Sequence, residues 1–164
     1  MKKLKNSQLE RKTIDEFKQS KKLPLVIVLD NIRSLNNIGS VFRSSDAFLL
    51  RKIYLCGITA TPPHREIHKT ALGATDSVEW EYFDRTDDAI RNLKDKGYTI
   101  ISIEQADQSV RLHDFKPEKS GKYALIFGHE VKGVQQEIVS MSVSTSVSML
   151  SIRGGRSSSA WGQG

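Results

Sequence analysis

Two short segments gather residue types that can do chemistry together. Asn36-Asn37-Ile38-Gly39-Ser40-Val41-Phe42-Arg43 combines two amides, a glycine and a guanidinium. Phe127-Gly128-His129-Glu130-Val131-Lys132-Gly133-Val134 sets an imidazole and a carboxylate between two glycines. In the first segment Asn36 or Asn37 can cap a helix, Gly39 permits close backbone approach, and the helix start favours an anion. Arg43, more than one turn further on, offers a planar fork suited to phosphate. In the second, Gly128 can bring backbone against a ligand while Glu130 accepts hydrogen bonds. Taken singly, each also reads as ordinary structure: a capped helix with a surface arginine, and a polar turn. The second segment lacks the GK[ST] ending of a phosphate-binding P-loop, and neither is a G-x-G-x-x-G dinucleotide fingerprint.

Other reactive side chains are less organised. His64 and His68 are four apart and can share a helix face, but without a third ligand they read as a solvated helix start, so no metal is expected. His113 and His129 have no local metal partners. Cys56 ends an apolar run and should be packed. Trp80 and Tyr82 fall on one side of a strand. Lys69 borders a small-residue stretch, Thr70-Ala71-Leu72-Gly73-Ala74, and can meet a phosphate. Ile103 and Glu104 close a strand, which is where an open α/β sheet binds its ligands.

The elements that must hold these residues are legible from pattern. Leu25-Val26-Ile27-Val28-Leu29 is a continuous apolar, largely β-branched run, the pattern of a strand buried on both faces. Further strands are expected at Lys52–Cys56, Val78–Phe83, Tyr98–Ile103 and Tyr123–Phe127. Helices are expected over residues 7–20 with Ser7 as a cap, after Asn37, over 65–73 closed by Gly73, over Thr86–Lys96 stopped by Gly97, and from Gln135 to Val139. Apolar strands alternating with helices predict an α/β fold, a parallel sheet with helices on both faces.

Composition bounds the rest. The chain has 164 residues and a formal net charge of +6, enough for one domain with a core. One cysteine excludes an internal disulfide framework. The longest apolar run is too short for a membrane helix, and the basic start lacks the apolar core of a secretory signal. The expectation is therefore a cytoplasmic protein, with no membrane partner. Residues 1–22 carry eight basic and three acidic side chains, so the basicity sits at the end of the chain. Such an extension, with Lys12 in it, suits a polyanion such as nucleic acid. Residues 140–164 hold nine serines, and five of these alternate with other residues from Ser140 to Met149 in a way that allows an edge strand. The expected organisation is a basic helical extension at 1–22, a domain at 23–139 and a Ser/Gly-rich tail at 140–164.

In this order, and with Lys69-Thr70-Ala71-Leu72-Gly73-Ala74 between them, the two boxes resemble those of the SpoU (TrmH-type) RNA ribose methyltransferases of the SPOUT superfamily, over residues 23–139. The resemblance implies an α/β knot, whose C-terminal segment threads a loop. It implies a homodimer binding S-adenosylmethionine in the knot at the subunit interface, and methyl transfer to a ribose 2′-hydroxyl of tRNA or rRNA. Arg43 matches the family's catalytic arginine. With a pKa above about 12 it is a poor base, so the expected role is to grip the RNA phosphate beside the target ribose. Asn37 matches the first-box asparagine, expected to position Arg43 or RNA. Glu130 matches the second-box glutamate, expected to orient Arg43 or the active-site backbone. Gly128, Ile103 and Glu104 are expected along the cofactor, and Lys69 and Lys12 against RNA. A guanidinium, an amide and a carboxylate should then surround one hydroxyl.

Past Ser140 the likeness lapses. The family continues with an Ile-Pro strand, an S-x-N-x-S turn and a closing helix, whereas residues 140–164 contain neither Pro nor Asn. So abrupt a departure suggests a frameshift or truncation in the source DNA, with the knot segment altered or missing. The alternative is a catalytically inactive RNA-binding protein of the same fold.

Overall fold

A computed structural model describes residues 12–106, 109–142 and 147–148. In chain order the elements are α1 (Ile14–Gln19), β1 (Leu23–Asp30), α2 (Leu35–Ala47), β2 (Leu50–Cys56), α3 (Arg65–Ala71), α4 (Ala74–Ser77), β3 (Trp80–Phe83), α5 (Thr86–Asp95), β4 (Thr99–Ser102), β5 (Val110–Arg111), β6 (Tyr123–Phe127), α6 (Gln136–Met141) and β7 (Val147–Ser148). Five strands form one parallel sheet in the order β3-β2-β1-β6-β4. β5 and β7 pair separately.

The apolar run of β1 is buried on both faces, as its composition demands. Val26 and Val28 join Tyr54 and Cys56 of β2 under Ala89, Ile90 and Leu93 of α5. Ile27 and Leu29 join Ile53 and Leu55 under Ile38 and Phe42 of α2. Helices α1 to α4 cover one face, and α5 and α6 cover the other. Stripping water from both sides of the central strands is what stabilises this layering. Cys56 is fully buried, and burial pushes its thiol up to about 12.

Several expectations change. The cap of α2 is Ser34, whose hydroxyl accepts from the Asn37 N–H at 3.2 Å. Asn36 and Asn37 thus lie inside the first turn, and the Asn37 amide is free for another task. α3 ends at Ala71, and Leu72 (φ 51°) and Gly73 (φ 89°) together make the left-handed stop. The short α4 just beyond is too brief for apolar periodicity to announce it. A capping box between Thr13 and Glu16 starts α1, while residues 7–11 lie outside the described residues. At the other end α6 runs through Ser140 to Met141, so these residues are helical rather than the start of an alternating strand. Among the described residues of this stretch, strand pairing falls at Val147–Ser148. Residues 149–164, and with them the expected knot, lie outside the described residues. Among the described residues no helix is long and apolar enough to cross a membrane.

Candidate active site

Topology brings the two boxes together. β1 and β6 are hydrogen-bonded neighbours with Leu29 opposite Phe127. The chain therefore leaves both strands side by side, about 4.8 Å apart. From the end of β1 it enters the loop into α2, and from the end of β6 it enters the turn carrying Glu130. The carboxylate closes the gap. Glu130 Oε1 accepts from the Ser34 N–H at 3.0 Å and from Asn37 Nδ2 at 3.1 Å, across 93 residues of sequence. Its Oε2 accepts from the Arg33 N–H at 3.3 Å. No acidic residue stands in the first turn of α2, so Glu130 supplies from afar the negative charge a helix start favours. Burial pushes its carboxyl up. The N–H groups of Glu130 itself, Ser34 and Arg33, with the Asn37 amide, outweigh that and hold it below the usual value of 4.5.

The turn is built to present this carboxylate. His129 Nδ1 accepts from the N–H groups of Val131 (3.0 Å) and Lys132 (3.3 Å), and the Gly133 N–H donates to the His129 carbonyl at 2.8 Å. Gly128 is required because a Cβ there would run into the backbone of Gly133 and Val134. Glu104, just past β4, accepts from the Val134 N–H at 2.8 Å through Oε2. Gly128 and Glu104 therefore shape the second box itself. Ile103 donates its N–H to the Ile126 carbonyl and extends the β4–β6 ladder.

Sequence reasoning missed Asp30. Fully buried at the end of β1, its Oδ1 accepts from Asn31 Nδ2 (2.8 Å), Thr86 Oγ1 (2.6 Å) and Gln135 Nε2 (2.8 Å), and Oδ2 accepts from the Gln135 N–H (3.3 Å). It ties the end of β1 to the starts of α5 and α6. The available signal was a lone carboxylate closing a five-residue apolar run.

Arg43 does not join Asn37 and Glu130 within the chain. It stands six residues beyond Asn37 on α2, about 9 Å along the axis and a third of a turn round. There it is exposed and lines a groove of about 700 Å³ with Lys12, Phe17, Leu72 and Asp76. Glu130 binds loop backbone and the Asn37 amide, not the guanidinium, because the loop donors are the nearer partners. Of the expected RNA contacts, Lys12 shares the Arg43 groove, while Lys69 is exposed on α3.

Residues 24–152 match the SpoU rRNA Methylase family, a span that runs past residue 139 into the serine-rich stretch. The chain is 25% identical over 113 residues to a 23S rRNA (guanosine-2′-O-)-methyltransferase of Neisseria meningitidis, covering 69% of this chain and 44% of that protein. It is 23% identical over 136 residues to a tRNA (guanosine(18)-2′-O)-methyltransferase of Thermus thermophilus, covering 82% of this chain and 68% of the other. An AdoMet-bound rRNA methyltransferase from Sinorhizobium meliloti has the same fold, with a TM-score of 0.73 at 24% identity over 89% of this chain and 53% of that one. The chain spans about half the length of the Neisseria and Sinorhizobium proteins.

Proposed function

The chain belongs to the SpoU rRNA methylase family, and from that membership we propose that it transfers a methyl group from S-adenosylmethionine to a ribose 2′-hydroxyl of tRNA or rRNA. The observation that carries the reading is the Asn37–Glu130 contact at 3.1 Å. It locks the two family boxes into one edge of the sheet, at the carboxyl ends of neighbouring parallel strands, where such sheets bind ligands.

The edge suits a cationic cofactor. Asp30, Glu104 and Glu130 all end there, and their hydrogen-bond donors are neutral amides, backbone N–H groups and a hydroxyl. Among the described residues none of the three is in an ion pair. Their unneutralised charge favours a positive ligand. Ile103, Glu104 and Gly128, at the adjoining ends of β4 and β6, are the residues we assign to hold it. When bound, S-adenosylmethionine supplies a methyl group already activated by its sulfonium charge. What remains for the protein is alignment and help with one proton.

In this reading Glu130 holds the Asn37 amide directly and clamps the loop before it. Arg43 grips the phosphate beside the target ribose, and an oxygen of that phosphate takes the proton from the 2′-hydroxyl. The working unit is a homodimer. Within one chain Arg43 opens on a groove separate from Asn37 and Glu130, so a second copy would bring a guanidinium to that pair. An RNA substrate of this kind places the activity in the cytoplasm.

The test is incubation of the chain with methyl-labelled S-adenosylmethionine and transcripts of tRNA and rRNA, and then alkaline hydrolysis. Ribose methylation blocks cleavage at the modified nucleotide, so label in alkali-resistant dinucleotides is the expected result. Absence of such label on every tRNA and rRNA offered overturns the proposal.

A further inference from the structure

A second groove, of about 480 Å³, lies on the α2 side of the sheet between the β2–α3 connection, α4 and β3. Its volume falls within the range of about 300–1,000 Å³ usual for small-ligand sites. Pro63, Arg65, His68, Thr75, Asp76 and Trp80 line it. Trp80 is half-buried, and it packs against the main core while also forming this wall. Arg65 and His68 are exposed on α3. None of these side chains takes part in the Asn37–Glu130 junction.

We propose that this groove holds one unpaired nucleotide of single-stranded RNA, next along the strand from the phosphate gripped by Arg43. The fit is chemical at three points. The indole of Trp80 offers a flat apolar face on which any base can stack. Arg65 supplies a guanidinium for the phosphate. Asp76, with the Thr75 hydroxyl donating to its Oδ1 at 3.4 Å, offers acceptors to the amino edge of a base. The position is also apt. Asp76 stands in the walls of both this groove and the one that contains Arg43 and Lys12. The two grooves therefore adjoin at Asp76, on the same side of the sheet. A duplex does not fit the idea, because its bases are stacked on each other and unavailable to the indole. The inference rests on the RNA reading above, but not on methyl transfer.

The experiment uses the full chain with Trp161→Phe, which leaves Trp80 as its one tryptophan. A short mixed-sequence single-stranded oligoribonucleotide is titrated in while indole emission is monitored. Quenching at saturation is the expected result. Arg65→Ala in the same background should weaken binding about tenfold and lower the salt slope by about one, and Trp80→Leu should weaken it about tenfold by a separate binding assay. Circular dichroism of each variant confirms that the fold is retained. Oligoribonucleotide binding without a change in Trp80 emission overturns the proposal, as does wild-type affinity in Arg65→Ala or equal quenching by duplex RNA. Quenching without any methyl transfer leaves the groove standing and removes the enzymatic reading. Methyl transfer with an unchanged KM in Arg65→Ala does the reverse.

Discussion

The junction of the two boxes and the groove around Arg43 are opposites in construction, though α2 contributes to both. At the junction each carboxylate oxygen has its donors, supplied largely by backbone, and the buried Asp30 beneath it is tied to three elements. In the groove the cations of Arg43 and Lys12 stand in solvent on long, flexible side chains. Groups that fix geometry are saturated internally, and the two cations we assign to RNA are exposed. An exposed guanidinium contributes little to folding, while its value to binding emerges when a phosphate replaces water.

The contrast is tested most severely at Asp30. Asp30→Ala strands the buried Thr86 hydroxyl and unties Gln135 from the end of β1, and should cost about 2 kcal/mol of stability in urea unfolding. A loss below about 0.5 kcal/mol, that of a surface change, would mean that the junction is not anchored there. Arg43→Ala should show the inverse profile: methyl transfer down at least about 100-fold, equivalent to about 2.7 kcal/mol, with an unchanged unfolding midpoint. If the variant unfolds more easily and keeps its activity, the division between the two regions is wrong. The smallest effect concerns charge. Glu130→Gln keeps the shape of the clasp and should cost about 1 kcal/mol at neutral pH. Because the native carboxyl lies below its usual value of 4.5, its contribution is complete above that pH and fades as pH falls through the lowered native value. The gap between wild type and variant should therefore close on acidification below 4.5. A gap that persists there assigns the effect to shape instead.

Much of this architecture can be read from pattern alone. The apolar runs at 25–29 and 123–127 announce strands, the second with alternate residues only half-buried, and the placement of both boxes after strands points to one sheet edge. What the pattern omits is of two kinds. Short elements such as α4 leave no periodicity. Long-range substitution for a local signal is the other kind: α2 takes its N-terminal negative charge from Glu130 rather than from its own first turn. The shift of the cap from Asn36 or Asn37 to Ser34 is by contrast local, a choice among neighbouring residues that can all cap. The bond from the Val134 N–H to Glu104 and the close approach of Gly128 to Gly133 also leave no local signal, because each joins segments far apart or folded back in the chain. Arg43 is the instructive case. Its type and position on a helix are legible, but whether it meets Asn37 depends on six residues of helical rotation and on what lies across the surface.

The late insertion of β6 between β1 and β4 has a consequence for synthesis. Until residues 123–127 emerge from the ribosome, the nascent chain holds two strands with a bare hydrogen-bonding edge each, the kind of edge that invites aggregation. The slot closes only when β6 emerges, and Glu130, three residues beyond it, follows at once. The junction of the two boxes and the protection of the open edges should therefore be acquired in the same step.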